Sequence, residues 1–271
     1  MDHKLNAKKR KVRRILGFEP NIENPQVMSE KLLWIRVNGK IERFAKYTDK
    51  YEVRQYVKGK IGEKYLVPLY GMYTNVDDIN IDNLPQSFVL KATHGCGWNI
   101  LVKDKTNLDW YKAKKQMNEW LNLNYFNITG ERNYKPLKGR AIIEKYLQDP
   151  SGDLKDYKFH CIHGKPMVVA VMGDRFSNLK VQILDMDWKQ PPFDTQNNSF
   201  SIPPERPKRF SEMIDVAKKL SQDFAYVRVD LYYTNNKIYF GELTFLPSGG
   251  LLNHPYEYQK WLGSHLDLSR Y

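Results

Sequence analysis

Four groups of residues in this 271-residue chain have the types and spacing to handle phosphate and a divalent cation. The first is Lys91 with the loop it enters, in FVLKATHGCGWNILV at 88–102. Gly95 and Gly97 remove side chains that would keep backbone N–H groups from an anion, and Lys91 supplies a point charge for the same anion. A hairpin with a plain surface loop and a solvated lysine fits the same residues. The second group is Glu144 at the end of GRAIIEKYL, and the third is Asp156 and Lys158, which share one face of a strand.

The fourth group lies in VRVDLYYTNNKIYFGELT at 227–244. With a turn near Asn235 and Asn236, Asp230 and Glu242 fall opposite or diagonal to one another, within reach of Mg²⁺ and bridging phosphates. Arg228 beside them can bind phosphate and offset charge, and Glu242 and Thr244 are expected to share their face with Phe240. A solvated sheet face on which Arg228 pairs with either acid accounts for the pattern equally.

Taken together, the groups form a nucleotide-and-magnesium kit spread over two lobes. Lys91 and the loop of His94, Gly95, Cys96, Gly97, Trp98 and Asn99 would hold phosphates from one side, and the carboxylates would hold magnesium from the other. Adenine would sit in the crevice, with Ile143 and Leu147 as apolar walls and Glu144 with adjacent backbone on its amino edge.

The elements that must position these residues follow from periodicity. Apolar spacing predicts helices on either side of Asn38-Gly39, and Asp49-Lys-Tyr-Glu is a cap for a helix with Val53, Tyr56 and Val57 on one face. YLVPLYGM at 65–72 reads as a strand, with Pro68 placing it at an edge or a bulge. Residues 107–124 and 210–220 read as amphipathic helices. Residues 156–172 read as antiparallel strands around His163-Gly164-Lys165, and 177–207 as a long proline-rich loop region serving as an acceptor site, a lid or a solvent-facing excursion. The fold class is therefore α+β rather than a repeated βαβ pattern.

Composition sets the limits. Hydrophobic residues at 41% and charged residues at 27% describe a globular chain. The net charge of +12 favours an anionic partner such as a nucleotide, an acidic glycan or a membrane face. Seven Lys/Arg fall in the first twenty residues, with KKRKVRR at 8–14 the densest run. That run reads as a solvated or weakly membrane-associating tail rather than a nucleic-acid site. Two cysteines exclude a multi-cysteine zinc site or a disulfide scaffold. With no apolar run of the ~18 residues that span a bilayer and no signal-peptide core, the expected location is the cytoplasm, with peripheral contact at the inner membrane face allowed.

The motif order resembles the ATP-grasp superfamily, and more closely its TupA-like branch, which is associated with teichuronopeptide and other surface-polysaccharide synthesis. The likeness rests on KYEVRQYVKGKIGEKYLVPL, FVLKATHGCGWN, IIEKYL, DYKFHCIHGKP, VRVDLYY and FGELTFLPSGG, and covers roughly residues 28–263. It implies an ATP-grasp fold in which two α+β lobes grip ATP. The expected division is a basic segment 1–27, an N-terminal α/β region 28–85, a small lobe 86–139 and a large lobe 140–271. It implies phosphate contact for Lys91, a flexible loop at His94 to Asn99, an adenine hinge of Glu144, Lys145, Tyr146 and Leu147, and nucleotide contacts for Lys158 and Asp156. Asp230 and Glu242 become magnesium ligands; many relatives carry asparagine where this chain has Thr244, so the second metal contact departs from the pattern.

The reaction implied is carboxylate activation: ATP phosphorylates a carboxylate, and an amine displaces phosphate to give an amide. Arg228 is the candidate for holding the acylphosphate and Arg175 for the acceptor carboxylate. The family association implies a uronic acid or glycan precursor as acceptor and an amino acid or other amine as nucleophile. Phosphotransfer to a sugar, or a non-catalytic glycan-binding role, are the competing expectations.

Overall fold

The computed structural model describes residues 12–174, 177–193 and 198–271. The basic run at 8–14 therefore begins outside the described residues, and Arg175 also lies outside them. Two antiparallel sheets and the helices around them give the α+β architecture.

The first sheet has four strands: β1 (Leu69–Tyr73), β2 (Phe88–Ala92), β3 (Asn99–Val102) and β4 (Ala141–Lys145), in the order β1-β4-β2-β3. Pro68 cannot donate to a ladder, so the strand expected from residue 65 starts only at Leu69; Tyr65 belongs to a 3₁₀ turn at Glu63–Tyr65. β1 is an edge strand with an irregular register between Leu69 and Gly71, the two devices that tolerate a proline. This sheet crosses the boundaries expected at 85/86 and 139/140, because β4 pairs with both β1 and β2.

Alternation sorts β2 and β4 into two faces. Phe88, Leu90, Ala92, Ala141 and Ile143 join Met117 of helix α3 (Trp110–Leu121) in one apolar cluster. Lys91, Val89, Ile142 and Glu144 fall on the other face, since Lys91 pairs with Ile142 and Val89 with Glu144. Ile143, expected to wall the adenine crevice, is instead core, and Ile142 shares the polar face.

The second sheet has five strands: β5 (Asp156–Ile162), β6 (Lys165–Gly173), β7 (Lys180–Leu184), β8 (Tyr226–Thr234) and β9 (Lys237–Thr244), in the order β7-β6-β5-β8-β9. Its apolar face, including Phe159, Val227, Val229 and Leu231, is covered by α4 (Phe210–Ser221), which buries Phe210, Met213, Val216, Ala217 and Leu220. Burying about five such side chains contributes on the order of 10 kcal/mol before ordering costs. Trp188, from the proline-rich region, packs edge-on against Phe210 at 4.7 Å, so that part of the excursion folds back onto the core.

Helix α1 (Met28–Asn38) does not head a separate N-terminal region. Met28, Leu32 and Ile35 enter the core of the second sheet, and Gln259 of helix α5 (Tyr256–Ser264) accepts a hydrogen bond from the Ser29 amide at 3.2 Å. Among the described residues no helix is long and apolar enough to cross a membrane.

Candidate active site

Strand periodicity and one bulge assemble the polar face of the second sheet. Asn235 and Asn236, at φ of 49° and 55°, make a two-residue turn that pairs Thr234 with Lys237 and Leu231 with Phe240. In that register Asp230 would meet Gly241, and Glu242 would point to the apolar face with Val229. The register instead shifts between Asp230 and Leu231, leaving Gly241 unpaired and bringing Glu242 directly opposite Asp230. A Cβ on Gly241 would lie 3.0 Å from the Asp230 carbonyl oxygen and 3.1 Å from the Tyr232 ring, so the bulge has little room for a side chain. Phe240 consequently parts from Glu242 and Thr244, with which it was expected to share a face, and is buried in the core.

Two rows of polar side chains result. Lys158, Asp230 and Glu242 align across β5, β8 and β9, and His160, Arg228 and Thr244 align beside them. Arg228 grips Asp230 with two hydrogen bonds of 2.7 Å, and its Nη2 also reaches Thr244 Oγ1 at 3.1 Å and Glu242 Oε1 at 3.3 Å. Lys158 Nζ donates to Asp230 Oδ2 at 2.5 Å and to Asp156 Oδ1 at 3.5 Å. Burial opposes the charge on Asp230, but Arg228 and then Lys158 outweigh it and hold the carboxyl below its ordinary range. Burial likewise opposes the Arg228 cation, and Asp230 reverses that, leaving the guanidinium more firmly charged than usual. Glu242, with its side chain 35% exposed, is the open member of the carboxylate pair.

The four-stranded sheet presents its own charged group. Glu144 is 6% exposed and accepts from Lys91 Nζ and Arg54 Nη1, each at 2.8 Å. Arg54 comes from helix α2 (Val53–Ile61). Lys145 is exposed at the end of β4, with Tyr146 and Leu147 half-buried after it. The Thr234 hydroxyl donates to the Gln148 carbonyl at 2.8 Å, tying this crossing segment to the β8–β9 turn.

Within the glycine loop the residues divide. His94 and Trp98 face inward: the His94 Nε2 lies 3.1 and 3.0 Å from the Trp120 and Leu123 carbonyls, and the Trp98 ring stacks on Trp120. Because carbonyls only accept, Nε2 carries the proton, leaving Nδ1 buried without a partner among the described residues; burial holds this imidazole below its usual pKa. Gly95 accommodates the indole, since a Cβ there would lie 2.3 Å from it. Cys96, Gly97 and Asn99 are exposed. Cys96 at the tip is near enough to the other sheet for Glu242 to add to the burial that raises its thiol, with Lys50 and Arg228 opposing.

The base of the loop is held by residues that no local pattern joins to it. Asp49 is fully buried, and it accepts from Thr93 Oγ1 at 2.7 Å and pairs with Arg140 at 3.2 Å. It also receives the Tyr51 and Glu52 amides, as expected of a cap. The Lys50 amide donates to the Thr93 carbonyl, and its ammonium donates to the Gly95 carbonyl. The cap was visible locally; its attachment to a loop more than forty residues away was not.

The sequence match decides the family, with the TupA-like ATP-grasp model covering residues 30–267. The chain belongs to the TupA-like ATP-grasp family. Among solved structures, this ATP-grasp chain is similar to the D-alanine–D-alanine ligase of Bacillus anthracis complexed with ATP, at 16% identity and a TM-score of 0.45, covering 74% of this chain and 54% of that one. It is also similar to the D-alanine–D-alanine ligase of Helicobacter pylori, at 17% identity and a TM-score of 0.48, covering 82% and 61%. The chain thus spans less than two thirds of the length of these ligases. No curated protein matches it in sequence.

The donor set on β8 and β9 suits a hard cation. Asp230, Glu242 and Thr244 offer oxygen only, and among the described residues no three acidic, His or Cys side chains gather as a protein-only cage. Mg²⁺ is held by one or two carboxylates with water and phosphate completing its shell, so the residues present fit it. A separate cavity of about 830 Å³, lined by residues including Arg54, Tyr65, Arg209 and Tyr239, opens beside β9. None of the carboxylates just described lines it, although Arg54, which pairs with Glu144, does.

Proposed function

We propose that this chain is an ATP- and Mg²⁺-dependent carboxylate–amine ligase that forms an amide through an acylphosphate. The carrying observation is the aligned array of Lys158, Asp230 and Glu242 with Arg228 beside it, close enough to the glycine-loop tip for its charges to act on Cys96, in a chain whose family is ATP-grasp. Magnesium held by Asp230 and Glu242, with Thr244 near, would neutralise the transferring phosphoryl group.

The protein's own groups divide the remaining work. Lys91 and Lys158 are cations placed by carboxylates on two different sheets, so a triphosphate lying between the sheets can take hydrogen bonds from both. The exposed loop residues Cys96, Gly97 and Asn99 can bring backbone N–H groups over it, while His94, Gly95 and Trp98 anchor the loop. Glu144 and the segment Lys145, Tyr146 and Leu147 would meet the adenine edge, and Asp156 positions Lys158. Arg228, firmly charged, would hold the acylphosphate as it forms, and Arg175 is proposed for the acceptor carboxylate.

The acceptor we favour is a uronic acid in a surface polysaccharide or its precursor, joined to an amino acid or other amine in the cytoplasm. Support comes from the family and from a net charge of +12, which suits an acidic sugar. The basic N-terminal run would add weak attraction to an anionic membrane face. Crossing uronic acids with amino acids in the presence of Mg²⁺ and ATP should reveal pairs that release ADP only when both are present. ADP release driven by a sugar alone, with phosphate retained on it, would replace the ligase with a kinase.

A further inference from the structure

Next to the proposed acylphosphate site stands a polar cluster to which the reaction so far assigns no role. Glu131 follows the short helix Tyr125–Thr129 and is only 9% exposed. Among the described residues no salt bridge reaches its carboxylate; Arg36, whose charge acts on it, donates its own hydrogen bonds to backbone carbonyls. Arg36 Nη1 donates to the Gly249 carbonyl at 2.8 Å and its Nη2 to the Thr129 carbonyl. A Cβ on Gly249 would sit 4.0 Å from Glu131 Oε1, which places the carboxylate against the turn that follows β9. The rings of Tyr125 and Tyr134 pack 4.7 Å apart beside it. The charges of both Glu131 and Glu242 act on those two phenols and on Cys96, so the cluster adjoins Glu242 and the loop tip.

We propose that Glu131, flanked by Tyr125 and Tyr134, receives the ammonium group of the amine substrate and takes a proton from it. This rests on the ligase reading and names the subsite that reading lacks. A buried carboxylate with no salt bridge is costly, and an ammonium would add the direct ion pair that Arg36 does not make, while aromatic faces favour a cation beside them. Burial raises Glu131 to about 7, with Arg36 and Thr129 opposing, so the group can accept a proton near neutrality. In the step itself the ammonium gives one proton to Glu131 and the freed nitrogen lone pair attacks the acyl carbon. The carbon–oxygen bond to phosphate breaks, and the second nitrogen proton leaves with the phosphate as hydrogen phosphate.

Cys96 gives a direct readout, because it is exposed while Cys161 is fully buried. Ethanolamine should slow iodoacetamide labelling of Cys96 in the full chain saturably, and N-acetylethanolamine, its uncharged counterpart, should not. Glu131→Gln should weaken that protection roughly ten- to hundredfold, and Glu131→Asp should keep part of it. Mg-ATP binding, followed separately by calorimetry, should be unchanged in both variants. Equal protection by the two compounds, protection that survives Glu131→Gln, or no protection in a chain that binds Mg-ATP would each overturn the subsite. Absence of Mg-ATP binding in the unaltered chain would count against the ligase instead, with the Cys96 result still deciding whether Glu131 holds an amine.

Discussion

Asp230 and Glu242 face each other yet stand in different surroundings, and their substitutions should behave differently. Asp230 is 2% exposed and held by Arg228 and Lys158, so Asp230→Asn leaves two buried cations short of charge and should lower stability by about 3 kcal/mol as well as abolish turnover. Glu242→Gln, at a partly open position, should cut turnover by about a hundredfold or more with the melting temperature nearly unchanged. Thermal melts beside ADP-release rates separate the two. His160 offers a pH test. It is enclosed, hydrogen-bonded to the Tyr226 hydroxyl at 3.0 Å, and burial, then Arg228, His254 and Lys158, hold it well below the ordinary 6.5. A group that stays neutral when folded but takes a proton when unfolded gives stability that is present above pH ~6.5 and lost as pH falls below it. Denaturant midpoints across that range should fall with acid, and His160→Gln should flatten the slope.

The strands and helices were legible where one period dominates. β5 alternates Asp156, Lys158 and His160 against Tyr157, Phe159 and Cys161, and its charged face could be read directly. The β8–β9 turn was equally plain from Asn235-Asn236, but the bulge at Gly241 was not, since a glycine in a strand does not announce which residue slips. Deleting Gly241 removes the unpaired residue and leaves Glu242 opposite Asp230 in an unshifted ladder. Mg-dependent ATP binding should survive, detectable by calorimetry; its loss would show that the bulge itself, and not only the pairing of Asp230 with Glu242, shapes the site. In the loop, Gly95→Ala drives a Cβ into Trp98, and a stability loss of roughly 1–3 kcal/mol with weaker ATP binding is expected from denaturation and titration.

At the scale of the molecule, motif order was enough for the family and the α+β class, but not for how the segments associate. β1 and β4 come from stretches some seventy residues apart, and α1 docks on α5 from the far end of the chain. Neither association has a local signature, because each is decided by which apolar faces remain to be covered. The same blindness hid Asp49, Lys50 and Glu131, whose roles depend on partners distant in sequence. The central claim remains that the two sheets cooperate to activate a carboxylate with ATP. Incubating the full chain with Mg²⁺, ATP, hydroxylamine and a panel of uronic acids tests it most directly. A uronate hydroxamate should form together with ADP, because hydroxylamine captures the acylphosphate. A stable phosphorylated sugar with no hydroxamate, or no Mg-dependent use of ATP, would contradict it.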